Sequence, residues 1–218
     1  LDLAFETDWK TALARELKEN DPLAVGLSVR NTDDCSFATK KSFLPWISEV
    51  VTEVRQLTGG FVLLGGVGFS IMPDSILRLT RADVGITGDG EEVILNFAKY
   101  LINGEDISSL PNIAYWNEGN IICNPKVDVD LRYLPTPRRR LFDNKRYERF
   151  GAMVGVETKR GCSQRCIFCA DPVAKGSSIR LRPPSMVAQE FLDLLGQGVT
   201  WFHLCDSEFN IPIAHAKD

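Results

Sequence analysis

Apolar residues in the first half of the chain follow two alternating patterns. Trp9, Leu13 and Leu17 are spaced by four, which predicts a helix, and the breaker Asn-Asp-Pro at 20–22 precedes an apolar run at 23–29 that predicts a buried strand. In chain order, the predicted elements are a helix at 8–18, a strand at 23–29, a helix at 42–58, a strand at 61–66, a strand at 83–87 and a helix at 91–101.

This alternation of strands and helices predicts an α/β fold. Strands that are apolar on both faces and separated by helices form parallel sheets with helices on both sides. We expect Ser42 to be the N-cap of the second helix and Gly59 to end it. Ligands of such sheets bind at the carboxyl ends of the strands, so the loops that follow the strands are candidate binding loops.

Three loops at this rim combine glycine with polar residues: SVRNTDD at 28–34, GGVGFS at 65–70 and GDGEE at 88–92. Glycine lets a backbone approach a ligand closely, and backbone amides can bind its polar groups. Each loop alone could equally be a tight turn. We expect a side chain added at Gly66 or Gly68 to fill the ligand space. The candidate cofactor-binding residues are Ser28, Arg30, Asn31, Thr32, Gly65, Gly66, Gly68, Gly88, Asp89, Gly90 and Glu91.

The second half of the chain begins a new series of strands and helices. A hairpin at 112–123 closes the first domain, and the tract 125–150, rich in proline and basic residues, has the composition of a linker in which the arginines at 138–140 form a solvated turn. The remaining predicted elements are a strand at 152–157, a helix at 184–195 and a strand at 199–205. The predicted domains are therefore 1–124 and 151–218, joined by 125–150.

Charge and hydropathy exclude several function classes. A net charge of −4 without a dominant basic block argues against a nucleic-acid partner. No apolar run is long enough to cross a bilayer, and residues 1–10 do not resemble a signal peptide. We therefore expect a cytoplasmic protein without a membrane partner. In that reducing compartment, the six cysteines are expected to be free thiols or metal ligands. Cys35, Cys123 and Cys205 are far apart, and we expect them only to pack.

Cys162, Cys166 and Cys169 form a C-x-x-x-C-x-x-C motif directly after a predicted strand. Three thiolates on one short loop can bind an iron–sulfur cluster and leave one iron without a protein ligand. Structural zinc is the competing interpretation, but it needs a fourth ligand that the neighbouring sequence lacks. Three buried, unreactive cysteines are a further alternative, which the polar residues at 163–165 disfavour.

The cysteine motif resembles that of the radical S-adenosylmethionine (SAM) enzymes, and the chain as a whole resembles their cobalamin-dependent branch. The resemblance implies a 4Fe–4S cluster at the three cysteines, SAM on its open iron, and Phe168 near the adenine. Asp206, Ser207 and Glu208 occupy the place where the family contacts the amino acid end of SAM, although other members often have Gly-Gly-Glu there. Glu208 suits the SAM ammonium group best by charge.

The same resemblance implies a Rossmann-like sheet of the cobalamin-binding type, followed by the start of a partial (βα) barrel of the TIM type. The cobalt-ligating Asp-x-His-x-x-Gly motif of many cobalamin domains is absent from this sequence. Relative to the family, the chain is expected to lack the first strand and helix of the sheet and most of the barrel. We therefore expect a fragment, truncated at both ends, that does not turn over by itself.

For the parent protein, the resemblance favours a methyltransferase that acts on an unactivated carbon, with a deoxyadenosyl radical and methylcobalamin as reactive species. A cyclase or ring-rearranging enzyme with the same cofactors is the alternative, and a non-enzymatic zinc- or cofactor-binding module is the alternative from another class. The expected partners are a small-molecule or peptide substrate, which the sequence does not identify, and an electron donor such as flavodoxin or ferredoxin.

Overall fold

The computed structural model describes residues 1–218, which divide into two compact units, Leu1–Val129 and Asp130–Asp218. We call them unit 1 and unit 2. None of their helices combines the length and apolar character needed to cross a lipid bilayer.

Unit 1 is an α/β domain built on a five-stranded sheet of order β1-β2-β3-β4-β5. Strands β1, β2 and β3 are parallel, and the hairpin β4–β5 adds an antiparallel edge. The predicted parallel sheet is therefore confirmed. Its elements are α1 (Trp9–Asn20), β1 (Ala24–Ser28), α2 (Leu44–Leu57), β2 (Phe61–Gly65), α3 (Val67–Ile71), α4 (Pro73–Thr80), β3 (Val84–Ile86), α5 (Glu91–Asn103), β4 (Ile113–Asn117) and β5 (Asn120–Cys123).

Apolar side chains pack on both faces of this sheet. One cluster joins the sheet to α1, α2 and α4 and includes Val54, Leu64 and Leu77, all completely buried. The other joins the opposite face to α5 around Phe97. Removing apolar surface from water on both faces stabilises the sheet and fixes the register of its strands.

The sequence analysis did not predict helices α3 and α4. Three glycines at 65, 66 and 68 and Pro73 obscure the helical spacing of Ile76, Leu77 and Thr80, which are buried in α4. Helix α2 has Phe43 rather than Ser42 as its N-cap residue, although the Ser42 hydroxyl accepts a hydrogen bond from Leu44 N at 3.2 Å.

Unit 2 contains a parallel strand pair joined through a helix. Strand β6 pairs with β9, and α8 lies between them in sequence, so the predicted second series is confirmed. The apolar cluster is small, with Val156, Leu194 and Val199 at its centre. The elements are α6 (Asn144–Arg149), β6 (Val154–Val156), β7 (Lys159–Arg160), α7 (Asp171–Lys175), β8 (Arg180–Leu181), α8 (Pro184–Gly196), β9 (Phe202–Leu204) and α9 (Ile213–Lys217).

A buried charge cluster supplements this small core. Glu190 on α8 is completely buried and accepts a hydrogen bond from Arg139 Nε at 2.7 Å. Arg182 Nη2 lies 2.7 Å from the other carboxylate oxygen, as an ion pair without hydrogen-bond alignment. Arg139 therefore does not belong to a solvated turn, unlike the exposed Arg138 and Arg140, because it neutralises a buried carboxylate.

Candidate functional site

The three glycine-bearing loops of unit 1 meet at the carboxyl end of the parallel strands. The first two are joined by backbone hydrogen bonds around the buried Val29. Its amide donates to Gly65 O at 2.7 Å, and its carbonyl accepts from Gly68 N at 2.9 Å. This pairing fixes the loop after β1 against the loop after β2.

Ser70 connects the second loop to the third and was missed by the sequence analysis. Its side chain is buried, donates to Gly66 O at 2.9 Å and accepts from Gly88 N at 2.9 Å. A lone serine at the end of the apolar stretch Val67–Phe69 was the available signal, because buried hydroxyls need partners.

An open cleft of about 460 Å³ lies beside these loops. Gly26 lies in the middle of β1, and a Cβ atom added there would meet no atom within 4 Å. The space over the strand is therefore open to a ligand. The cleft is lined by Gly26, Leu27, Ser28, Leu63, Leu64, Gly65, Gly66, Ile86, Gly88, Gly90, Glu91 and Ile94.

Two of the predicted glycines serve the backbone of the fold. A Cβ atom on Gly66 would lie 2.7 Å from Val29 O, and Gly66 has a φ of +96° that L side chains rarely adopt. Gly68 is buried in α3, and its Cβ would lie 3.0 Å from the carbonyl oxygens of Val29 and Arg30. A side chain at either position would strain the protein itself, contrary to the expectation that it would fill ligand space.

The other predicted rim residues lie in different surroundings. Ser28, Arg30 and Asn31 are exposed, whereas Thr32 is partly buried and its carbonyl accepts from Phe43 N at 2.9 Å. Asp89 is buried, and its carboxylate accepts from Val129 N at 2.9 Å. This carboxylate therefore connects the third loop to the last residue of unit 1.

The cysteine motif of unit 2 lies on the loop between β7 and α7. Cys162 is buried and Cys166 and Cys169 are exposed, with Cys169 N donating to Cys166 O at 3.2 Å. No group of three His, Cys, Asp or Glu side chains in the structure is arranged to bind a metal ion, so the thiols share one loop without converging on a point. Thiolate donors on a single exposed loop nevertheless suit an iron–sulfur cluster, which is bound by cysteine.

Two of the remaining cysteines are poor metal ligands. A hydrogen bond to Asp33 raises the pKa of the Cys35 thiol, and desolvation raises the pKa of the Cys123 thiol. Both effects disfavour the thiolate, which is the ligating form. Cys205 directly follows β9, and its thiol donates a long hydrogen bond, 3.8 Å, to His203 O.

The predicted SAM-contacting residues differ in how they are used within the protein. The Asp206 carboxylate accepts hydrogen bonds from Thr158 and Lys159, and the Ser207 hydroxyl donates to Asp171. Glu208 and Phe168 are exposed, Phe168 to 88%. Glu208 and Phe168 thus remain accessible to a ligand.

Comparisons with known proteins cover both units. Tryptophan 2-C-methyltransferase of Streptomyces laurentii is 31% identical over an aligned length of 269 residues, which includes 100% of this chain and 45% of the relative. The structure of the radical SAM methyltransferase TsrM from Kitasatospora setae, with cobalamin and a 4Fe–4S cluster bound, has 34% identity and a TM-score of 0.90 and covers 100% of this chain and 44% of its own. Over its whole length, the chain is therefore similar to radical SAM enzymes that bind cobalamin.

Other comparisons show how far this similarity extends. OxsB, a cobalamin-dependent radical SAM enzyme solved with aqua-cobalamin, has a TM-score of 0.72 at 20% identity over 92% of the chain and 28% of its own, which supports the fold alone. No protein-family model matches the chain. The chain spans less than half the length of these radical SAM relatives.

Proposed function

We propose that the protein containing this chain is a cobalamin- and SAM-dependent radical methyltransferase that methylates an unactivated carbon. The observation that carries the proposal is the presence, in one chain, of a cysteine loop suited to a cluster and a glycine-lined cleft at the rim of a parallel sheet. Two structures of TsrM, a radical SAM methyltransferase, support it at 33% and 34% identity, one with tryptophan and a SAM analogue bound and the other with cobalamin and a 4Fe–4S cluster bound.

The cleft of unit 1 suits the binding of cobalamin. The cleft is open to solvent, and its glycine lining lets a bulky cofactor lie against backbone atoms. Gly26, Gly65 and Gly90 would border the cofactor, because a Cβ atom at each of them would meet no atom closer than 3.6 Å. Ser28 and Glu91 supply polar groups at the same cleft.

The loop of unit 2 suits the cluster and SAM. Cys162, Cys166 and Cys169 would bind the cluster, and the exposed Glu208 carboxylate would accept hydrogen bonds from the SAM ammonium group. When bound, the cluster supplies the electron that cleaves SAM, and cobalamin carries the methyl group. The protein positions each cofactor.

A small-molecule substrate and a one-electron donor complete the proposal. Because the Streptomyces relative acts on tryptophan, as its name states, tryptophan is the first substrate to test. A flavodoxin or ferredoxin is the expected electron donor. Cyclisation or ring rearrangement would give a product without the added methyl carbon.

The test uses the full-length protein, purified and reconstituted without oxygen. We expect about four iron and four sulfide per chain, bound cobalamin, and transfer of a ¹³C-labelled methyl group from SAM to the substrate, measured by mass spectrometry. Stoichiometric zinc without sulfide would identify a zinc-binding module instead. Rearranged but unmethylated product would favour the alternative enzyme class.

A further inference from the structure

Residues 205–207, which directly follow β9, contact both ends of the cysteine loop. At the start of the loop, Asp206 Oδ1 accepts from Thr158 N at 2.7 Å and from Lys159 N at 3.1 Å, and Oδ2 accepts from the Thr158 hydroxyl at 2.6 Å. Lys159 is almost completely buried and its ammonium group donates to Phe209 O. The chain before the cysteines is thus connected to the end of a different strand.

The end of the loop contacts the same segment. Helix α7 begins two residues after Cys169, and its first residue, Asp171, accepts a hydrogen bond from the Ser207 hydroxyl at 2.5 Å. Lys175, the last residue of α7, donates to Cys205 O at 3.1 Å. Three consecutive residues after β9 therefore contact the chain on both sides of the motif.

The loop between these contacts has little support of its own. Residues 163–169 are all exposed, and Cys162 N donates to Gly176 O at 3.1 Å. A segment with few buried contacts has low local stability, so its shape depends on how its ends are fixed. The distance between those ends is set by residues 205–207.

We infer that Asp206 is a positioning residue that fixes the start of the cysteine loop for cluster binding; this inference rests on the proposed function. Three of the roughly four lone-pair positions of its carboxylate are occupied by Thr158 and Lys159. Asp206 therefore acts through the loop, while the exposed Glu208 is available to a ligand.

The test compares Asp206→Ala with Asp206→Asn in the full-length protein after anaerobic reconstitution. Alanine removes all three contacts, and we expect at least roughly fivefold faster loss of the cluster to an iron chelator, the size expected for one buried hydrogen bond or more. Asparagine can accept both amide protons through Oδ1 and donate to the Thr158 hydroxyl through Nδ2, so it should retain the cluster. The matched control is Asp193→Asn, which removes the charge of an exposed carboxylate on α8.

The outcomes separate this inference from the proposed function. A wild type that binds no iron and sulfide overturns the proposed function. A wild type with a cluster and an Asp206→Ala variant with the same rate of cluster loss overturns the inference. If the alanine and asparagine variants lose the cluster equally fast, the charge of Asp206 and not its hydrogen bonds is what matters, and the inference is overturned. It is also overturned if both variants retain full iron but no longer bind SAM.

A folding defect would not leave the question open. If the Asp206→Ala variant loses its circular dichroism signal before reconstitution, Thr158→Val replaces it, because valine removes the hydroxyl contact and retains both backbone contacts. We expect that variant to fold and to lose the cluster about two- to fivefold faster than wild type. An unchanged rate in a folded Thr158→Val protein would overturn the inference.

Discussion

Unit 1 and unit 2 are stabilised in different ways. Unit 1 has a five-stranded sheet with an apolar cluster on each face, whereas unit 2 has a two-stranded parallel pair and one apolar cluster of five buried residues. Unit 2 buries three charged side chains, Glu190, Arg182 and Lys159, whereas unit 1 buries one, Asp89. Apolar packing therefore dominates in unit 1, and polar contacts contribute a larger share in unit 2.

This difference extends to the two candidate sites. The cleft in unit 1 is bordered by backbone atoms of strands and tight loops, so its shape exists before a ligand binds. The cysteine loop in unit 2 is exposed, and its thiols do not converge. We infer that the cleft is preformed, whereas the cysteine loop is completed by its cluster.

The largest effect is expected from the cysteines. Cys162→Ala, Cys166→Ala or Cys169→Ala in the full-length protein should each abolish the cluster and SAM cleavage, because the loop supplies only three thiolates and each substitution leaves a second iron without a protein ligand. Iron and sulfide analysis and visible absorption measure the loss. Bound cobalamin should remain, because the cleft proposed for it belongs to unit 1.

Two cysteines of unit 1 provide the control. Cys35→Ala and Cys123→Ala should leave the iron content unchanged, since both thiols have raised pKa values and lie outside the loop. If either variant lost its iron, the ligand assignment would be wrong and the contrast between the units would fail with it.

The second largest effect is expected at Glu190. Glu190→Ala would leave Arg139 and Arg182 without their shared carboxylate, and breaking a buried ion pair costs about 3–5 kcal/mol. Hydrogen exchange followed peptide by peptide should show lost protection of β6 and α8, while the strands of unit 1 keep theirs.

Asp193→Ala, one turn further along α8 and exposed, is the matched control, with an expected change within about 0.5 kcal/mol. Equal effects of the two variants would show that unit 2 does not depend on its buried charges.

Glu190 also shows where the sequence was informative and where it was not. The spacing of Val187, Phe191 and Leu194 predicted α8, and Glu190 interrupts the same apolar stripe, which was a signal for a buried carboxylate. Its partner Arg139 lies 51 residues away, in a tract whose composition resembles a linker. Local patterns do not reveal such a distant pairing, because only the fold brings the two residues together.

The two candidate sites also differ in how far the sequence alone predicted them. Cys162, Cys166 and Cys169 were recognisable as candidate ligands from their spacing alone, since few short motifs are so specific. Gly26 was not, because a glycine within a strand is a weak signal until the open space above it is known. The contacts of Asp206 could not be predicted either, because they depend on the pairing of β6 with β9. Sequence periodicity predicts these two strands but not that they are neighbours.

A pair of glycine variants tests whether the cleft of unit 1 is preformed. The Cβ atom of Gly26→Val would lie in open space, so we expect the variant to fold as stably as wild type. Its affinity for cobalamin should fall by a factor of roughly ten or more, and its iron–sulfur cluster should be unchanged. Gly66→Val should instead destabilise unit 1 by about 2–4 kcal/mol, because its Cβ would lie against Val29 O at a positive φ. Cobalamin absorbance and thermal unfolding measure the two effects. Full cobalamin binding in a folded Gly26→Val protein would contradict the proposed site.

The smallest effect is expected from an exposed ion pair in unit 2. Comparing it with Glu190 tests whether a carboxylate must be buried, and not merely charged, to stabilise unit 2. Hydrogen bonds from Arg132 lower the pKa of the Asp130 carboxyl from 3.8 to about 2. Because the folded pKa is the lower one, any stabilisation is present above about pH 4 and is lost as the pH falls towards 2. In Arg132→Gln we expect the carboxyl pKa, measured by NMR, to return towards 3.8, while the unfolding midpoint at pH 7 changes by no more than about 1 °C, since solvent screens exposed pairs. A decrease at pH 7 comparable with that of Glu190→Ala would show that charge, and not burial, stabilises unit 2.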